Sequence, residues 1–161
     1  MKKLPYVGVI VMVAATATAT AQAAETEYRL TVCGHAKSTT LETGPDLTVF
    51  SNEVWSIVVP PATPKVFENN TGHCLAYNRI MQGKVTDMGS CRWTDPAGDT
   101  FIGEYVDAPD KPGAWTFLSG TGKWKGISGS GTYQPVAMGK PAADGSIEFC
   151  TLLTGKYTLP Q

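Results

Sequence analysis

Histidine, charge and helical periodicity are what this sequence has least of. Only two histidines, His35 and His73, occur in 161 residues, and methionine and histidine are too scattered for a copper motif, so no metal is expected. No G-x-S-x-G, H-E-x-x-H or P-loop pattern occurs, which leaves no marked hydrolase nucleophile, zincin site or phosphate cradle. C-x-x-C and C-x-x-C-H are missing as well, which removes thiol-redox and haem-attachment chemistry. Charged residues make up only 17% of the chain, 13 basic against 14 acidic, a balance that draws in neither nucleic acid nor an anionic membrane surface. Beyond the N-terminus no run is long and apolar enough to span a bilayer. No amphipathic helix of useful length can be traced.

What is present begins with an export signal. Lys2 and Lys3 precede an apolar run from Leu4 to about Ala15, and Ala21-Gln22-Ala23 closes the segment as an A-x-A site. Residues 1–23 therefore read as a signal peptide of bacterial character, and residues 24–161 as a single exported domain, periplasmic or secreted. The Asn69-Asn70-Thr71 sequon is then expected to stay unglycosylated. Four cysteines, Cys33, Cys74, Cys91 and Cys150, read in that compartment as two disulfides.

Strand signals fill the rest. Residues 27–36 alternate, with Tyr28, Leu30 and Val32 on one face. Residues 37–46 are polar and read as a loop, and 47–59 form a second strand ended by Pro60, Pro61 and Pro64. Segments 73–81 and 84–94 are strands about a Gln82-Gly83 turn, a register that sets Cys74 opposite Cys91. Asp95-Pro-Ala-Gly-Asp99 is a hairpin turn into a strand at 100–106, without the ligand loop of a calcium site. Trp115–Leu118 leads into Ser119–Tyr133, a glycine-rich stretch that reads as strand, tight corner and strand. Residues 146–153 and 156–159 are the last strands, with a kink at Thr154-Gly155. Many short strands with regular turns describe an all-β sandwich or barrel. Pairing Cys74 with Cys91 leaves Cys33 for Cys150, a bond that would join first and last strands of a closed barrel and set His35 opposite Glu148.

Cys91-Arg-Trp-Thr-Asp-Pro-Ala-Gly-Asp99, the Trp115 strand and Gly120-Thr-Gly-Lys-Trp-Lys-Gly-Ile-Ser-Gly-Ser-Gly-Thr-Tyr133 resemble exported bacterial proteins of the allene oxide cyclase-like type. These are similar to plant allene oxide cyclases and dirigent proteins, within the wider calycin group. The resemblance covers roughly residues 74–157. It implies an eight-stranded antiparallel up-and-down barrel, assembly as a homodimer or homotrimer, and a hydrophobic or aromatic small molecule in the lumen. It also implies chemistry without a cofactor, and it carries over no catalytic motif.

The disulfide registers, read as placing all four cysteines on one face, make the opposite and more apolar face the lumen. The expected ligand wall is Tyr28, Leu30, Leu75, Met88, Ile102 and Phe149. His73, Arg92 and Glu104 fall on that face with Tyr77, a titratable cluster in which Glu104 would act as base and the others would orient polar groups. A structural ion pair at the rim is the competing reading. Swapped faces would instead put Trp93, Tyr105, His35 and Glu148 inside. Three functions stay open: an isomerase, cyclase or lyase; a carrier for an apolar ligand; and an envelope protein using an outer aromatic face.

Overall fold

The computed structural model describes residues 24–107 and 111–160; the expected signal peptide lies outside them. Eight strands run β1 (Thr26–Thr43), β2 (Leu47–Thr63), β3 (Thr71–Met81), β4 (Lys84–Thr94), β5 (Thr100–Asp107), β6 (Gly113–Gly120), β7 (Ser128–Met138) and β8 (Ser146–Thr158). Each pairs antiparallel with the next, and β8 returns to β1, so the sheet closes on itself. Closure leaves no unpaired sheet edge.

Two of the turns set the expected registers. Gln82 and Gly83, both at positive φ, bring Cys74 opposite Cys91, and the 95–99 turn brings Thr94 opposite Thr100. Cys33 faces Cys150, and His35 faces Glu148, across the closing seam. Both disulfides form: Cys33–Cys150 and Cys74–Cys91. The seam bond closes a loop of 117 residues in sequence. Replacing Cys33 and Cys150 together by serine should lower stability by roughly 2–5 kcal/mol. Urea unfolding checks this, and an unchanged midpoint would refute it.

Three boundaries differ from the sequence expectation. Residues 37–43 are strand, not loop, because β2 supplies each with a partner except Leu41, where the register slips; Ser38 Oγ donates to Asn52 Oδ1 at 2.6 Å. β2 runs past Pro60 and Pro61 to Thr63, and the missing proline N–H groups fall where the β1–β2 register slips, between Arg29 and Thr31. β8 passes unbroken through Thr154-Gly155.

The two disulfides stand on opposite faces of the sheet. Cys74 and Cys91 are buried in the lumen, whereas Cys33 and Cys150 are half-buried on the outer wall. β2 accounts for this: Cys33 lies opposite Ile57 and Cys74 opposite Val54, an odd number of residues apart, and odd spacing on one strand means opposite faces. The lumen therefore carries Tyr28, Leu30, Val32, Val54, Trp93, Phe101, Trp115, Phe117, Leu153 and Tyr157.

Candidate functional site

One end of the barrel is shut. The β2–β3 connection turns through Lys65–Phe67 and the β6–β7 connection through Gly122–Trp124, both as single 3-10 turns. Phe67 and Trp124 enter the lumen there with no exposed surface, their centroids 4.9 Å apart, and Phe101 and Tyr157 pack round them. Full burial of a side chain like Phe67 contributes roughly 1.5–3 kcal/mol. Asp95, also buried, accepts the Trp124 indole N–H at 3.0 Å, Lys123 Nζ at 2.9 Å and the Ala97 N–H at 2.7 Å. Gly122 stands at φ +52° where a Cβ would strike the Asp99 carboxylate, which itself accepts the Lys123 N–H at 3.0 Å. The glycine-rich stretch is thus the strand, corner and strand expected, and its tryptophan is the stopper.

The other end holds a cavity of about 280 Å³. Its wall is aromatic and aliphatic, with Trp93, Trp115, Tyr105, Tyr133 and Phe149 beside the Cys74–Cys91 bond. The space exists because rings lie flat over glycines of the neighbouring strand. A Cβ on Gly103 would strike the Trp115 ring, and one on Gly113 the Tyr133 ring. Were those rings displaced, they would fill the lumen.

Two carboxylates face this apolar space. Asp87 on β4 and Asp107 at the end of β5 are direct cross-strand partners. Like charges so placed destabilise a sheet. Burial, the charge of Asp107 and an opposing interaction with the Tyr105 hydroxyl leave the Asp87 carboxyl pushed up to about 6. Burial and the same carboxylates push the Tyr133 hydroxyl up, and burial followed by Asp87 does so for Tyr105. The two tyrosine rings meet edge to face at 5.6 Å. Asn78, buried, lies directly across from Asp87 on β3.

Of the residues expected to line the lumen, Tyr28, Leu30 and Phe149 do point inward; Phe149 lines the cavity, and Tyr28 and Leu30 lie below it. Leu75, at 64% exposure, and Met88 face outward, and Ile102 is half-buried between Arg92 and Ser119 on the outer wall. Glu104, Arg92, His73 and Tyr77 are all exposed on that wall. A lumen ligand cannot reach them. No ion pair joins Arg92 to Glu104 among the described residues; His73 pairs with Glu53 at 2.8 Å and stacks on Trp55, whose other face carries His35. Trp93 and Tyr105 are inside as swapped faces would have them, while His35 and Glu148 are outside. Asp87, Asp107 and Tyr133 went unmarked, although Asp87 shares the parity of Cys91 and Trp93 along β4.

The closed eight-strand topology has a parallel among solved structures. A pterocarpan synthase dirigent protein superposes with a TM-score of 0.50 at 13% sequence identity, over 86% of this chain and 94% of that one. The fold is dirigent-like. No protein-family model and no curated protein matches the chain by sequence. At this identity the likeness is one of fold, and the contents of this dirigent-like lumen must be read from its own residues.

Proposed function

We propose that the barrel holds a small hydrophobic or aromatic molecule at its open end and exchanges a proton with it through Asp87. The protein would then be a cofactor-free isomerase, cyclase or lyase. The observation that carries this reading is the Asp87–Asp107 pair set into a mainly apolar cavity. A carboxyl held near pH 6 populates both protonation states close to neutrality, as an acid–base group must. The rigid wall would hold one conformer of the substrate for reaction. A carrier for an apolar ligand would use the same cavity without proton exchange.

Two disulfides support work outside the cytoplasm, periplasmic or secreted. No helix among the described residues is long and apolar enough to cross a membrane. Tyr77, Met88 and Val106 form one exposed cross-strand row on the outer wall, with Leu75 beside it, a surface that a homodimer or homotrimer would cover.

Native mass spectrometry of protein purified from its own source would name a retained molecule. With that compound, Asp87→Asn should cut turnover by about 100-fold or more, well beyond any several-fold loss of affinity. Glu104→Gln, on the outer wall, should change neither. Turnover surviving in Asp87→Asn overturns the acid–base role; binding without any turnover in the unmodified protein establishes the carrier.

A further inference from the structure

Among the described residues the lumen wall has no counter-charge of its own. Lys, Arg and His are all missing from the residues that line the cavity, and Asp87 and Asp107 nevertheless stand side by side in it. We propose that the molecule bound here is a small aromatic amine, held as its ammonium ion between Asp87 and Asp107 with its ring against Trp115, Tyr105 and Tyr133. This rests on the lumen-binding reading above and names the ligand class for it.

Three unpaired buried polar atoms of the cavity wall bear on the assignment. Asp87 Oδ1 and the Tyr133 hydroxyl have no hydrogen-bond partner. Neither has Nε1 of Trp93, 4% exposed in the cavity wall. Buried polar groups are almost always paired, so unpaired ones converging on a cavity mark what a ligand must bring. An ionised carboxylate can only accept, and an indole N–H can only donate. The mouth therefore asks for a cationic donor. Trp93, which also borders the small apolar void beneath the cavity, asks for an oxygen at the deep end. Ring faces beside the carboxylates add cation–π attraction for an ammonium group. An anionic ligand would meet two carboxylates and no cation. The volume of about 280 Å³ suits a molecule of one or two rings.

Three probes share one ring hydroxyl and differ only at the other end: tyramine carries an ammonium, tyrosol a hydroxyl, and 4-hydroxyphenylacetate a carboxylate. In isothermal titration at about pH 7.5, tyramine should bind at least about tenfold more tightly than tyrosol, and the acid should not bind. Lowering the pH to about 5 should weaken tyramine several-fold, because Asp87 takes up its proton, and leave tyrosol unchanged. The double variant Asp87→Asn, Asp107→Asn should keep its tyrosol affinity and lose the preference for tyramine. The pH arm uses the unaltered protein and decides the matter even if that variant fails to fold. Tyrosol or the acid binding as tightly as tyramine overturns the amine assignment and leaves lumen binding standing. No heat from any of the three overturns both.

Discussion

Replacing Asp95 with alanine should lower the stability of the barrel by roughly 1–3 kcal/mol, the cost of leaving the buried Trp124 indole N–H without a partner, while Lys123, 41% exposed, turns to water. The carboxylate has 0% side-chain exposure and takes the Trp124 indole N–H, Lys123 Nζ, and the N–H groups of Ala97 and Asp99. Alanine strands the buried indole N–H and removes the bracing of the 95–99 turn at once. Burial alone would raise the Asp95 carboxyl; Lys123, the Ala97 N–H and Trp124 outweigh it and hold the group below the usual carboxylate range. A lowered folded-state value stabilises the protein above the unfolded pKa, and that stability is lost as pH falls through the folded value. The acid limb of the stability curve should therefore be shallower in Asp95→Ala than in the parent. Denaturant unfolding across acidic pH reads both effects. Well below its melting temperature the variant should bind lumen ligands as the parent does, since the stopper closes the end away from the cavity. A loss under about 1 kcal/mol would show that the bonds to Asp95 contribute no more than surface pairs do.

Asp87→Asn should do the reverse and stabilise the protein at neutral pH, by roughly 1–3 kcal/mol for a carboxyl raised by about two pKa units. The folded value of about 6 lies above the ordinary 3.8. Between roughly pH 4 and 6 the folded chain holds a proton that the unfolded chain has released, so stability falls as pH rises through that window. Asparagine keeps the shape and removes both the desolvated charge and its repulsion with Asp107. The gain should appear in urea unfolding at pH 7 and vanish at pH 4. Equal effects at both pH values, or a loss at pH 7, would mean that the pair is not strained in the folded protein. A group that lowers stability where it stands is a mark of a working site.

Much of the architecture was legible in residues 24–161. Strand alternation, the Gln82-Gly83 and 95–99 turns and the even cysteine count led to an all-β sandwich or barrel and both disulfides, because a hairpin register follows from local turn geometry, and the family resemblance added the eight-stranded up-and-down barrel that the structure has. The polar stretch 37–43 misled because it joins a strand whose partner, not its own composition, keeps it extended.

The site was less legible. Which face is inner can be carried across a hairpin by its turn, and this worked within β3–β4–β5 and across the β1–β8 seam. It could not be carried between those two groups. The link is β2, joined to its neighbours by the 44–46 turn and the 64–70 connection, whose geometry the sequence left unstated. One residue of register there reverses every side chain beyond it. That single step turned Glu104, Arg92, His73 and Tyr77 outward and brought Asp87, Tyr105 and Trp93 in. Bulk was the available cue: Trp93, Phe101, Tyr105, Trp115 and Phe117 share the inner face of β4–β6, and five such rings on one face mark the buried side. Local chemistry therefore determined the strands, their turns and the cysteine pairs. Only closure of the whole barrel decided which carboxylates face the cavity, because facing depends on the sum of all the registers between one strand and another.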